Sequence, residues 1–99
     1  MAQVIWGSNG RKDVIQIAEY LSGYSETYAS ALVTKIYRKV GLLANSPRMG
    51  KIVPEFSNEN IRQLLEGDYR IIYELFDNDV AVIIKVIHTS RNLQELDEN

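Results

Sequence analysis

Two helix-forming segments separated by only three residues dominate the first half of the chain. Apolar side chains recur in each segment at steps of three and four residues, which places them along one face of an α-helix. These positions are Val14, Ile17, Ala18 and Leu21 in the first segment and Ala29, Leu32, Ile36, Val40 and Leu43 in the second. Residues 22–24, which read Ser-Gly-Tyr, interrupt the pattern. Because the connection is so short, we predict that the two helices fold back on each other as an αα-hairpin.

The starts of both helices are predicted from side chains that can cap free backbone amides. Ser8 or Asn9 can serve as the N-cap of the first helix, because a short polar side chain accepts a hydrogen bond from the first turn. Ser25 can do the same for the second helix. Glu26 follows it, at the position where the helix dipole favours a carboxylate.

Four further segments have the composition of β-strands, rich in β-branched and aromatic residues and bounded by turn sequences. These segments are residues 2–6, 61–66, 69–76 and 80–88. Tight turns at residues 67–68 and 77–79 join the last three strands into a meander. Residues 46–60 contain both prolines and are predicted as a loop, with a short strand around Ile52 and Val53.

The last strand is apolar on both of its faces. Simple alternation places Val80, Val82, Ile84 and Val86 on one face and Ala81, Ile83 and Ile87 on the other. A strand that is covered on both faces is usually internal. We therefore predict a single α+β domain over residues 1–99, with an N-terminal strand and an α-helical hairpin packed on a mainly antiparallel sheet. A three-stranded meander forms the C-terminal part of that sheet.

Composition excludes several classes of function. The chain has no cysteine and only one histidine, so we expect no disulfide, no metal site and no cofactor. No apolar run is long enough to span a bilayer, and the N-terminus lacks the features of a signal peptide, so we expect a cytoplasmic protein. The sequence also lacks a glycine-rich phosphate loop and the short motifs of common hydrolases.

Positive charge is concentrated in one part of an otherwise acidic chain. Residues 27–54 contain five basic residues and no acidic one, whereas the whole chain has a formal charge of −2. Such a segment is either a solvated helix face or a docking surface for an acidic partner or a nucleic acid. The net negative charge argues against strong non-specific binding of nucleic acid, which requires many phosphate contacts.

Several polar side chains occupy positions within or beside the predicted strands. Arg62 and Arg70 lie inside strands, His88 ends the last strand, and Arg91 follows three residues later. The simplest interpretation is that each is an exposed, ion-paired or hydrogen-bonded sheet residue. For Arg70, a candidate partner is Glu74, which lies two residues further along on the same face.

Four short stretches form a pattern that is more specific together than separately. They read SPRMG at residues 46–50, IRQL at 61–64, YRIIY at 69–73 and HTSR at 88–91. With the preceding helical hairpin, they resemble the RelE/ParE toxin superfamily of bacterial type II toxin–antitoxin modules, over nearly the whole chain. The resemblance implies the family's fold, the role of toxin in a plasmid-stabilisation module, and a cognate antitoxin as partner.

The superfamily contains two mechanisms on one fold, so the resemblance alone leaves both open. ParE-like toxins bind and inhibit DNA gyrase without chemistry of their own, in which case the protein is not an enzyme. RelE-like toxins are ribosome-dependent endoribonucleases that cut mRNA. For that alternative the candidate catalytic residues are Arg70, His88, Arg91, Arg62 and Lys51.

The charge of the chain favours the ParE-like branch. Residues 94–98 are largely acidic where RelE-like toxins carry a basic tail, and a chain of charge −2 is poorly suited to a ribosomal site lined by phosphate. We therefore predict a gyrase inhibitor and keep mRNA cleavage on the ribosome as the alternative. An acidic antitoxin segment is expected to contact Lys35, Arg38 and Lys39 in the basic segment.

Overall fold

A computed structural model describes residues 1–91 and confirms the predicted α+β architecture. Its elements are β1 (Gln3–Trp6), α1 (Ser8–Ser22), α2 (Glu26–Gly41), a 3₁₀ turn (Leu42–Ala44), β2 (Lys51–Ile52), β3 (Ile61–Glu66), β4 (Tyr69–Phe76) and β5 (Val80–His88). The short strand predicted around Ile52 and Val53 thus lies one residue earlier in the chain, at Lys51 and Ile52. The acidic stretch of residues 94–98 lies outside the described part. Neither described α-helix has the length and apolarity that a bilayer span requires.

The strands of the described residues form one sheet in the order β1-β5-β4-β3-β2. β1 runs parallel to β5, and all other neighbouring strands are antiparallel, so the sheet is mainly antiparallel as predicted. β5 is an internal strand between β1 and β4, which confirms the expectation from its apolar composition.

Both helices pack on one face of the sheet and enclose the main core. Every apolar position of the α2 stripe is buried, and these positions are Ala29, Leu32, Ile36, Val40 and Leu43. The sheet contributes Ile71 and Tyr73 of β4 and Ile83 of β5 to the same core. The buried stripe confirms that the hairpin was correctly assigned to a single face of the sheet.

The start of α2 also follows the prediction. The Ser25 hydroxyl accepts a hydrogen bond from the amide of Tyr28 at 3.1 Å, and Glu26 lies in the first turn. The start of α1 does not, because Gly7 is its N-cap and no side chain among residues 1–91 caps it. The expectation that Ser8 or Asn9 would cap α1 is therefore wrong.

Close backbone contact with β5 explains why the N-cap of α1 is a glycine. The Gly7 amide donates to the carbonyl oxygen of Ile83 at 2.9 Å, so hydrogen bonding to β5 continues up to the N-cap of the helix. A Cβ atom would lie 2.9 Å from that oxygen at Gly7 and 2.7 Å from it at Gly10. Any larger residue at these two positions would push the helix away from the strand.

β5 contains a β-bulge opposite the middle of β4. Tyr73 pairs with Ile83, but its neighbour Ile72 pairs with Lys85, so Ile84 is the extra residue in the strand. A bulge of this kind shifts the alternation of side chains by one position beyond it. The two halves of β5 consequently follow different alternation patterns.

The bulge changes which side chains of β5 face the helices. Val86 lies in the helix-side core with Ile83, whereas Ile87 lies on the opposite face with Ile84. The simple alternation that grouped Val86 with Ile84 is therefore wrong beyond the bulge. The same shift brings His88 to the helix side of the sheet.

The opposite face of the sheet carries a second, smaller core. Val53, Ile72 and Ile87 are buried there, and Phe56 and Ile61 pack against them. Val53 and Phe56 belong to the loop between β2 and β3, so this loop covers part of the face that the helices leave open.

Candidate functional site

A cleft of about 510 Å³ opens between α1 and the end of β5, on the helix side of the sheet. α1 supplies one wall, and the start of β4 and the end of β5 supply the other. The polar and aromatic residues that line it are Asp13, Gln16, Tyr20, Tyr69, Lys85, His88 and Arg91. Its volume falls within the range of pockets that hold small ligands or projecting side chains.

Asp13 joins the two walls of the cleft. Its Oδ2 atom accepts a hydrogen bond from the backbone amide of Val86 at 2.8 Å, and the Nζ atom of Lys85 lies 3.6 Å from the same oxygen. Because this carboxylate already has a donor and a counter-charge, it holds α1 against β5 and is not free to bind a ligand.

His88 lies at the mouth of the cleft with a defined orientation. Its ring meets that of Tyr69 edge to face, with centroids 5.4 Å apart. The amide of Ser90 donates to Nδ1 at 3.1 Å, and the Ser90 hydroxyl lies 2.9 Å from the same atom. Since Nδ1 accepts these bonds, the neutral ring carries its proton on Nε2 and acts there as a donor.

Tyrosines form the rim of the cleft and the adjacent tip of the hairpin. Tyr20 and Tyr24 are largely exposed, their rings meet edge to face at 5.4 Å, and their hydroxyls lie 3.4 Å apart. That hydrogen bond raises the pKa of Tyr20, and burial raises the pKa of Tyr69. Both side chains are therefore neutral hydrogen-bonding groups at physiological pH.

Arg70 lies on the opposite face of the sheet from this cleft. Its Nη1 and Nη2 atoms donate to the two carboxylate oxygens of Glu55 at 2.8 and 2.9 Å. Its Nε atom donates to Oε1 of Gln63 at 2.7 Å, and the residue is only 9% exposed. The predicted partner Glu74 is thus wrong, because the β2–β3 loop folds over this face and brings Glu55 to the guanidinium.

The bidentate ion pair between Arg70 and Glu55 has a structural role, and we call it the clasp. The hydrogen bonds from the Arg70 guanidinium hold the pKa of the Glu55 carboxyl below its ordinary value. Bidentate pairing of this kind is stronger than a neutral hydrogen bond and specifies one geometry. Arg70 therefore fastens the β2–β3 loop to the sheet.

Arg62 is also committed to the backbone of the connecting loop. Its Nη1 atom donates to the carbonyl oxygens of Arg48 and Gly50 at 3.2 and 3.1 Å, and its Nε atom donates to that of Glu59 at 3.1 Å. These bonds satisfy carbonyl groups at both ends of the loop. Arg62 consequently stabilises the path of the chain into and out of β2.

The buried hydroxyl of Tyr73 anchors the SPRMG stretch. It donates to the carbonyl oxygen of Pro47 at 2.8 Å and accepts from the amide of Gly50 at 2.9 Å. Burial raises the pKa of this hydroxyl. A Cβ atom at Gly50 would lie 2.6 Å from the same oxygen, so this contact requires glycine.

The basic residues of α2 form a separate surface, which we call the α2 basic surface. Lys35, Arg38 and Lys39 line a shallow depression with Leu42 and Glu66. Lys35 and Arg38 are exposed, whereas the Nζ atom of Lys39 lies 3.8 Å from a carboxylate oxygen of Glu66. Two of the three predicted antitoxin contacts therefore project freely from the helix.

The five candidate catalytic residues do not come together in one site. His88 and Arg91 both line the cleft. Arg70 lies on the opposite face, Arg62 is bonded to loop carbonyls, and Lys51 is exposed on the edge strand β2. The geometry thus separates Arg70, Arg62 and Lys51 from the cleft that holds His88 and Arg91.

Sequence reasoning overlooked most of the cleft. Asp13 and Val86 are 73 positions apart, so no local pattern could have revealed their hydrogen bond. Tyr20 did carry a signal, since it is a large aromatic residue outside the apolar stripe of its helix. Lys85 interrupts an apolar strand, which also marks it as a residue with a polar partner.

Solved structures of toxin–antitoxin proteins share this fold. The chain is similar to the chromosomal ParDE system from P. aeruginosa, with a TM-score of 0.72 and 19% identity over 89% of this chain and 96% of that chain. It is also similar to the toxin–antitoxin complex RelBE2 from Mycobacterium tuberculosis, with a TM-score of 0.58 and 22% identity over 88% and 96% of the two chains. No curated protein matches the sequence.

Fold and sequence pattern together define a toxin of the RelE/ParE class. Residues 4–93 match the family model of the ParE toxin of the type II toxin–antitoxin system, parDE, and the chain belongs to this family. It is therefore the toxin of a type II toxin–antitoxin module, with an antitoxin as its partner.

Proposed function

We propose that this toxin acts in the cytoplasm by binding and inhibiting DNA gyrase, without a chemical step of its own. Membership of the ParE family supports the proposal. The observation that carries it is the separation of Arg70 from His88, which lie on opposite faces of the sheet. Both are candidate catalytic residues for the cleavage alternative, which requires its cations and its acid–base groups at one phosphate.

Proton-transfer cleavage of RNA places cations and an acid–base pair around a single phosphate group. Here the guanidinium of Arg70 is paired with Glu55, and that of Arg62 is bonded to loop carbonyls. Releasing either side chain would leave a partly buried polar group without its partner, which is costly. These arginines are therefore better suited to holding the fold than to binding RNA.

Ribosome-dependent cleavage of mRNA is the second candidate, and one observation favours it. His88 and Arg91 line the same cleft, so a proton-bearing ring and a cation lie close to each other. A ribonuclease built on this pair would still lack the further cations expected from the sequence.

The two candidates make opposite predictions for His88→Gln, which keeps a hydrogen-bonding side chain. We expect the variant to keep most of its toxicity and of its inhibition of supercoiling by purified gyrase, because the Gln amide can donate a hydrogen bond in place of the imidazole ring. In a ribonuclease the same change would remove a proton-transfer group that contributes about 10²–10⁴-fold to the rate. A folded variant that has lost all toxicity, together with wild-type cleavage of mRNA on ribosomes, would overturn the proposal.

We further propose that an acidic segment of the antitoxin binds the α2 basic surface. The exposure of Lys35 and Arg38 and the absence of acidic residues from positions 27–54 support this site. Replacing Lys35, Arg38 and Lys39 together by Glu should weaken the complex, as measured by calorimetry at low salt. Arg11→Glu, an exposed change on the other helix, is the control. An unchanged dissociation constant would place the antitoxin elsewhere.

A further inference from the structure

Among the described residues that line the cleft between α1 and β5, the cations Lys85 and Arg91 outnumber the carboxylates. The side-chain donors that line it are Gln16, Tyr20, Tyr69, Lys85, His88 and Arg91. The one carboxylate among these described lining residues, Asp13, already accepts a bond from Val86 and faces Lys85. A surface with this balance of groups is complementary to an anion rather than to a cation.

Aromatic rings flank these donors. Tyr20 is 66% exposed on one wall, and Tyr69 is half-buried against His88 on the other. Exposed tyrosines are frequent anchors of protein interfaces, because they supply a large contact area with few rotatable bonds. The cleft therefore suits an anionic group that is carried beside apolar atoms, such as the side chain of Glu or Asp next to an apolar residue.

The size of the cleft and the contact that joins its walls indicate which kind of partner enters it. Its walls are two regular elements that Asp13 joins, and its volume of about 510 Å³ admits only a few side chains. A disordered segment that folds on binding covers a long, extended surface. In most complexes of pre-organised proteins the interface backbone moves little on binding, so one projecting loop of a folded protein can enter a cleft that is already formed.

We propose that this cleft docks an acidic loop of the toxin's folded target protein. A carboxylate of that loop faces His88 and Arg91, and neighbouring apolar atoms pack on Tyr20 and Tyr69. This inference rests on the proposed function only for the identity of the target, which is gyrase. Target and antitoxin then occupy different surfaces, the cleft and the α2 basic surface respectively.

Two changes in the full-length toxin test this assignment, Arg91→Glu and Tyr20→Ala. Each has a matched control outside the cleft, Arg11→Glu for the charge and Tyr28→Ala for the ring, and all four positions are exposed. We expect the two cleft variants to require at least about tenfold more protein to inhibit gyrase supercoiling, as for anchor residues of an interface. Both should bind the antitoxin with a dissociation constant close to that of the wild type, and the controls should retain both properties.

Three outcomes would overturn the assignment. The first is unchanged inhibition by both cleft variants. The second is an equal loss of antitoxin affinity, which would make the cleft part of the antitoxin interface. The third is binding of a short single-stranded oligonucleotide that Arg91→Glu abolishes while inhibition persists, which would make the cleft a nucleic-acid site.

Failure of the proposed function gives a different result. If wild-type toxin does not inhibit gyrase, the gyrase proposal is wrong, and the same four variants are then scored by growth arrest after induction in cells. Loss of arrest in the two cleft variants alone, with antitoxin binding intact, would support a target-docking cleft for another protein. Full arrest by those variants would overturn it.

Discussion

The two faces of the sheet are covered by different segments of the chain, which are held there by different kinds of interaction. On one face, two helices bury a continuous apolar core around Ile36 and Tyr73. On the other, the β2–β3 loop contributes only a small apolar cluster and is fastened by Arg70 and Glu55. A chain can thus cover one face through a repeated apolar pattern and the other through a single polar clasp. Arg70, a candidate catalytic residue for the ribonuclease alternative, thus holds the loop in place.

The largest effect is expected on the helix-covered face. Ile36→Ala removes a fully buried side chain and should lower the free energy of unfolding by about 2–5 kcal/mol, because the cavity cannot collapse completely. Ile15→Ala, at a half-exposed position of α1, is the matched control and should change stability much less. Urea unfolding measures both. Equal effects of the two changes would mean that the apolar core does not dominate this face.

An intermediate effect is expected on the loop-covered face. Arg70→Met keeps the aliphatic stem but removes the partner of Glu55, and should cost about 2–3 kcal/mol, less than for a fully buried pair because Glu55 can turn toward solvent. Arg70→Lys should recover only part of this, since an ammonium group cannot reproduce the bidentate fork. Urea unfolding again reports the change, with Arg11→Met as control. A stable Arg70→Met variant that has lost toxicity would contradict a purely structural role.

The smallest effect is a pH dependence confined to the clasp. Arg70 lowers the pKa of Glu55 in the folded protein below the ordinary 4.5, so the unfolded chain binds more protons in this range. The stabilisation is fully present above about pH 4.5 and is lost as the pH falls through the lowered pKa. Glu55→Gln should therefore flatten the acid side of the stability profile, whereas Glu59→Gln in the same loop should not. Parallel profiles for Glu55→Gln and the wild type would show that the pair contributes no pH-dependent stability.

Periodicity made the helix-covered face predictable. The spacing of apolar residues in α2 identified every buried position of that helix, and Ser25 was correctly assigned as its cap. Both features depend on neighbours within one or two helical turns. The same local reasoning failed at Val86, because the bulge at Ile84 adds a residue that alternation does not count.

The candidate site was predictable only in part. The sequence indicates His88 and Arg91 as candidates, and both line the cleft. It indicates Arg70 as well, but Arg70 lies on the other face, where Glu55 binds it. A strand pattern indicates which side chains share a face of one strand, but it does not say which loop will cover that face.

The sequence by itself determined the helical hairpin and the meander, because each depends on residues close to one another along the chain. It also indicated the family, because four short stretches between residues 46 and 91 match the family's pattern. Only the tertiary structure decided that Asp13 joins α1 to β5 and that Arg70 holds a loop instead of lining the cleft. In each case a polar group loses its bound water when distant segments of the chain pack together. The group then needs a hydrogen-bond partner and binds the one that the fold places within reach. A single bulged residue, Ile84, shifts the alternation that places His88 beside Tyr69 and the cleft.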